Sequence, residues 1–312
     1  MRIWLLAALI SCVGFPSGGR AQSLLDGGNV SLASILGASF DPWDDPTNSD
    51  FAPRTPGDSD LGEQLVLMPQ DGYQPFRFQL TERVLWTNNA GLTDLGALTG
   101  VEDFYSTTEL RLSYLPQLRG NTFGEFSAGY SFYRYTDHSM LDFDRLETSL
   151  GLIHAFRELN DLSAWLRYNH IRLLTATDRD ELYTDHSIEL GLYYPIPLGA
   201  RHLAFGSYSS EFSLDGNPGR AGRHEHGLTA GYKYSLTDRL ELASFYRFYV
   251  LDYLEGSRTD LLHSTGLSLT AQLTDRIDLV VSGSYSLNDS NLAVHDYEVG
   301  DVGANLSFKL EF

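Results

Sequence analysis

The sequence predicts an all-β protein, an antiparallel up-and-down transmembrane β-barrel of about twelve strands. Three observations predict it. Segments of ten to fifteen residues with two-residue alternation follow one another from Pro75 to Phe312, tight and long connections alternate between them, and hairpins recur with a period near forty residues.

The alternation is clearest at the end of the chain. There Val302, Ala304, Leu306, Phe308, Leu310 and Phe312 share one face, while Gly303, Asn305, Ser307, Lys309 and Glu311 share the other. Successive strand side chains point to opposite faces, so this strand has one wholly apolar face. The same split separates Phe126, Ala128, Tyr130 and Phe132 from Glu125, Ser127, Gly129 and Ser131. It also separates Leu228, Ala230, Tyr232 and Tyr234 from Gly227, Thr229, Gly231 and Lys233. A soluble sandwich alternates too, so length decides: soluble strands usually hold about five or six residues, and tilted strands that cross a bilayer need about nine to eleven or more.

The tight connections contain Gly120, Asn160, Gly199, Asp238 and Asp275, and with Phe312 these markers are spaced by 40, 39, 39, 37 and 37 residues. A period near forty also suits a propeller blade of four short strands, but the segment lengths fit two long strands per period. Longer polar stretches lie around 87–103, 136–142, 174–183, 213–223, 254–260 and 288–298. The expected strands are 76–86, 104–116, 122–135, 143–156, 162–173, 183–196, 201–213, 224–235, 239–253, 261–273, 276–288 and 299–312. An even count puts both termini on one side, taken as periplasmic, and closure removes the exposed edges that such long strands would present.

Ahead of the barrel, Arg2, the apolar run Ile3 to Val13 and the small residues around Ala21 read as a signal peptide over 1–21. Residues 22–74 hold nine acids against the single base Arg54, with prolines at 42, 46, 53, 56 and 69. Such a stretch buries too little apolar surface to form a domain alone; it reads as an irregular extension, a lumen plug or a periplasmic segment. The only cysteine, Cys12, lies in the signal region, so thiol chemistry is excluded from the mature chain, apart from the lipidated N-terminus that a lipoprotein-type cleavage at Cys12 would produce. Removing 1–21 takes away Arg2 and Arg20 and no acid, which leaves 20 bases, 41 acids and a net charge of −21. Nucleic acid is therefore not an expected partner.

The terminal run Asn305-Leu306-Ser307-Phe308-Lys309-Leu310-Glu311-Phe312 resembles the assembly signal of the bacterial outer-membrane β-barrel superfamily. That resemblance covers about residues 75–312. It implies an outer-membrane location in a Gram-negative cell, insertion by the outer-membrane assembly machinery with Phe308, Leu310 and Phe312 as the signal, and contact with outer-membrane lipid and lipopolysaccharide.

Function is sought in the lumen and at the rim. Strand parity directs Arg77, Arg83, Arg111, Arg145, Arg167, Lys233 and Arg247 inward, together with Glu109, Glu125, Glu147, Glu189, Glu241 and Asp278. Signs alternate rather than forming a basic ring, which suits cross-strand ion pairs or a weakly selective pore for small solutes. The bulky inward residues Trp165, Tyr193, Phe245 and Tyr249 suggest a narrow or partly occluded lumen.

Histidines 138, 186, 224, 226, 263 and 295 are expected at the outer rim. Asp137-His138-Ser139 and Asp185-His186-Ser187 make no triad by themselves; His186, Ser210 and His226 on consecutive strands are the rim trio nearest to hydrolase character, and no catalytic residue is assigned. No metal site or cofactor is assigned either, although His224 and His226 share a strand face and would need a third ligand to hold an ion. The expectation is a non-enzymatic barrel, either a narrow channel or a structural barrel; a lipid-modifying enzyme and a secretion partner using 22–74 are the alternatives.

Overall fold

The structure is a computed structural model, and it describes residues 75–92, 100–159 and 161–312. The signal-peptide, lipidation and extension readings fall on residues 1–74 and lie outside the described residues. The described chain forms β1 (Phe76–Thr87), β2 (Asp103–Tyr114), β3 (Gln117–Arg119), β4 (Thr122–Tyr135), β5 (Phe143–Phe156), β6 (Leu162–Thr175) and β7 (Glu181–Pro197). It continues through β8 (His202–Ser213), β9 (Arg223–Thr237), β10 (Leu240–Tyr253), β11 (Thr259–Thr274), β12 (Ile277–Ser290) and β13 (Tyr297–Glu311).

Each long strand pairs antiparallel with the next long strand in sequence, and β1 pairs with both β2 and β13, so the sheet closes. Twelve long strands form the wall. The three-residue β3 is the extra one: it continues the line of β2 beyond Leu115 and Pro116, and both pair with β4. Pro116 is the reason for the interruption, because it has no N–H for the ladder; its carbonyl still accepts the Gly124 N–H at 2.9 Å. The expected second strand, 104–116, therefore stops two residues early. Elsewhere the strands extend a few residues beyond expectation at the long connections, as in β7 and β11.

Connections at one end are short, down to Asp238-Arg239 and Asp275-Arg276, and this end also carries Phe76 and Phe312. Those at the other end are longer and include the 3-10 turns Ser139–Leu141, Gly219–Ala221 and Ala293–His295. We call these the short-turn and long-loop ends. The terminal strand is tied to the first by paired bonds, Phe76 N–H to Phe312 carbonyl at 3.1 Å and the reverse at 3.0 Å, with the two rings stacked 5.5 Å apart.

Burial is the inverse of that in a soluble protein. Phe126, Leu150, Leu228, Leu267 and Val302 are about half exposed, whereas Gln79, Thr81, Glu109, Thr270 and Ser307 are buried. An apolar belt of this kind on a barrel whose described long strands are all paired on both sides is a surface made for hydrocarbon. At the long-loop end the inward face turns apolar. One cluster joins Tyr105, Tyr133, Phe143, Leu173 and Tyr183 to the loop residues Ala90 and Ala221, and a second joins Leu251, Tyr253, Leu262 and Tyr297 to Leu92.

Candidate functional site: the inward wall and the outward rim

All thirteen charged residues expected in the lumen stand on the inward parity of their strands. Side chains that share a face on paired strands are close enough to bond, and the register brings most of these into ion pairs. On the β1–β7 wall, Arg83 and Arg111 flank Glu109 at 3.7 and 3.0 Å, Arg111 also pairs with Glu147, and Arg145 meets Glu147 from its own strand at 2.7 Å. Arg167 pairs with Glu125 at 2.7 Å, and Trp165 donates its ring N–H to Glu189 at 2.8 Å. On the opposite wall, Lys233 lies 3.6 Å from Glu241, and Lys309 lies 2.7 Å from Asp278. Arg247 sits over the Phe245 ring at 4.9 Å, and Arg77 pairs with Glu311 at 3.1 Å at the short-turn end.

Sequence parity alone missed Lys309 as a partner of Asp278, and it missed the cluster nearest the long loops. There Arg258 forks onto Asp260 at 2.9 and 2.5 Å, Arg223 pairs with Glu225 at 2.8 Å, and both guanidinium groups face the Tyr253 ring. Arg258 precedes β11 and has no strand parity to betray it.

The bulky inward aromatics each lie against a glycine or a neighbouring ring of the wall. Trp165 lies against Gly191, Phe245 against Gly266, Tyr249 against Gly227 and Phe205 against Gly231, so close that a Cβ on any of these glycines would overlap the ring. Each ring occupies the side-chain volume that its neighbour gives up and lies along the wall. Tyr193 packs beside Phe205, with ring centroids 5.7 Å apart. The inward face between these rings is polar and buried, as at Gln79, Thr81, Glu109, Thr270 and Ser307.

The histidines resolve into an outward pattern. Tyr130, Tyr168, Tyr208, Tyr246 and Tyr285 recur at intervals of 38, 40, 38 and 39 residues. Each hydroxyl reaches a polar side chain on the next long strand: Asp144 at 2.9 Å, His186 at 2.6 Å, His226 at 3.4 Å, His263 at 2.8 Å and Glu298 at 2.5 Å. A tyrosine with an apolar body and a satisfied hydroxyl suits the boundary between hydrocarbon and headgroups. Three of the rim histidines thus have a structural partner. His186 stacks on His170, with centroids 4.3 Å apart, and is separated along the barrel from Ser210, which is bonded to His226 at 2.8 Å. The expected trio is not brought together, and among the described residues no carboxylate reaches the His226 ring. His224 and His226 do share the outward face, packed against Phe212, but no group of three His, Cys, Asp or Glu that could hold an ion forms among the described residues. In the connection before β5, burial raises the Asp142 carboxyl above the usual carboxylate range, against the pull of the Tyr135 N–H and of Arg134.

No protein-family model matches the sequence, and none of the curated proteins does. Among solved structures, the COG4313 outer membrane channel from Pseudomonas putida F1 aligns with a TM-score of 0.54 at 13% identity, over 78% of this chain and all of that one. The outer membrane channel DcaP of Acinetobacter baumannii (TM-score 0.42, 11% identity, 75% of this chain and 96% of that one) is a more distant match. The NanC porin matches similarly (TM-score 0.41, 11% identity, 74% and 100%). At such identity the likeness is one of fold, and the fold is that of the bacterial outer-membrane β-barrels.

Proposed function

We propose that this protein is a narrow, non-enzymatic channel for small polar solutes, resident in the outer membrane. The observation that carries the reading is the inward wall: buried polar side chains and ion pairs of both signs run along a closed barrel whose outward face is apolar. A wall with paired charges of both signs offers hydrogen bonds to a passing solute without the single-sign field of a strongly selective pore. The likeness in fold to a structure described as an outer membrane channel supports the reading. Export by the signal peptide 1–21, insertion through the terminal Phe308, Leu310 and Phe312, and surrounding lipopolysaccharide complete the reading.

Single-channel recording of the detergent-folded protein in planar bilayers tests it, with gel mobility before and after boiling as the control for folding. A heat-dependent shift with small, defined conductance steps is expected. A heat-shifted protein that conducts nothing, with or without residues 22–74, overturns the channel reading and leaves a structural barrel.

A further inference from the structure

Near the long loops, where the apolar belt ends, cations gather in one sector of the outward face. Nine arginines and lysines of the long strands face inward, and the two that face outward, Arg134 and Arg172, stand on β4 and β6 close to that end. Arg179, from the connection between β6 and β7, joins them: its guanidinium lies over the Tyr130 ring at 5.6 Å and pairs with Asp144. Its backbone takes a φ of +63°, a left-handed conformation that a non-glycine residue adopts at a cost.

The guanidinium groups are held in place from behind. Arg134 donates to the carbonyls of Tyr133 and Phe143 and to Asp144 at 2.6 Å, and Arg172 pairs with Glu181 at 2.8 Å. The side chains of Arg134, Arg172 and Arg179 nevertheless remain 37%, 45% and 53% exposed, while Asp144 beneath them is 1% exposed. The cluster therefore presents cations outward and hides the carboxylate that orients two of them.

Immediately toward the short-turn end, the same strands are hollowed. A groove of about 450 Å³ lies between Leu112, Tyr114, Phe126, Leu150 and Tyr168, where Ala128 and Thr148 leave room. The register places the row Ala128–Thr148–His170 next to the row Tyr130–Leu146–Arg172, so the groove opens one row beneath Arg172, with Arg134 further along β4 in the same direction. An apolar groove in a lipid-facing wall accepts any acyl chain; three fixed guanidinium groups at its head select for an anion, and their planar forks match phosphate oxygens. A phosphate monoester carries close to two negative charges near neutral pH, against one for a diester, so the cluster favours the monoester.

We propose that the outward face of β4–β7 binds a phosphate-monoester lipid of the leaflet at the long-loop end, its phosphate against Arg134, Arg172 and Arg179 and one acyl chain in the Ala128–Thr148 groove. The proposal rests on the reading of the barrel as membrane-spanning. It is tested by native mass spectrometry of the detergent-folded mature chain with bis-phosphorylated lipid A, dephosphorylated lipid A or phosphatidylglycerol. Arg134 is kept in the variants, because its loss would strand buried Asp144. The wild type is expected to retain phosphorylated lipid A about tenfold better than either competitor, and Arg172→Gln/Arg179→Gln to lose that preference. Ala128→Trp is expected to lower retention of all three lipids. Equal retention of dephosphorylated lipid A, or an unchanged preference in the double variant, overturns the phosphate site; unchanged retention in Ala128→Trp overturns the acyl-chain placement. The heat-dependent mobility shift reports on the underlying reading separately. A wild type soluble without detergent and lacking the shift removes the membrane, whereas a shifted barrel without lipid preference removes this site alone.

Discussion

Gly191 and Trp165 show how single residues set the width of the lumen. The ring lies in the space that a Cβ on Gly191 would fill, so a larger residue there must displace it toward the axis. Gly191→Val is expected to reduce single-channel conductance while the heat-dependent shift persists, with overpacking costing about 1–3 kcal/mol. Adding Trp165→Ala to that variant should restore conductance; a Gly191→Val channel that conducts like the wild type would sink the account. Asp142 gives a second test at this scale. Its carboxyl is raised by burial, so its folded-state value exceeds the unfolded one and the charge costs stability, increasingly so as pH climbs through that window. Asp142→Asn keeps an oxygen for the Tyr135 N–H and removes the charge. It should raise the heating temperature needed to lose the folded gel form at neutral pH and have no effect below the ordinary carboxylate range.

Among elements, β2 and β5 are joined across β4 by Arg111 and Glu147, and Arg145 shares the same carboxylate. Glu147→Gln removes the charge that Arg111 and Arg145 share and leaves Arg111 with Glu109, an expected loss of about 2 kcal/mol. Urea titration of the folded gel form would measure it, and a loss below about 0.5 kcal/mol would mean that this ladder fills space without holding the wall. That all thirteen expected charges face inward was legible from parity, because a strand leaves each side chain only two directions. Which charges meet was not, because pairing depends on register and on side-chain reach across two strands, as in Arg111 to Glu147. The break at Leu115-Pro116 could have been foreseen from proline's missing donor. The glycine slots under Trp165, Tyr249 and Phe245 could not, because each joins residues from different strands. The tyrosine period was present in the numbers 130, 168, 208, 246 and 285. Its partners, Asp144, His186, His226, His263 and Glu298, are of three residue types, so the ring is complete only in the hydrogen bonds.

At the scale of the whole molecule, closure and charge make a joint prediction. The long strands from β1 to β13 each have a partner on both sides, and the β1–β13 seam runs from Arg77 opposite Glu311 to Thr87 opposite Asp301. Among the described residues every long strand is paired on both sides, so a chain of residues 75–312 should fold in detergent and show the same heat-dependent shift. Along the long strands thirteen acids face inward against nine bases. Pairing cancels most of this at short range, but the uncancelled acids leave the lumen net negative, and a narrow, low-dielectric passage amplifies the remainder. In a potassium chloride gradient, where the two ions have similar mobilities, the reversal potential of the 75–312 barrel should therefore indicate modest cation preference. Glu241→Gln and Asp278→Gln together should shift it toward anions, since each removes a negative charge that faces a lysine, Lys233 or Lys309, on the same wall. An anion-preferring wild-type barrel, or a reversal potential that does not respond to those two changes, would mean that ions do not pass along this wall.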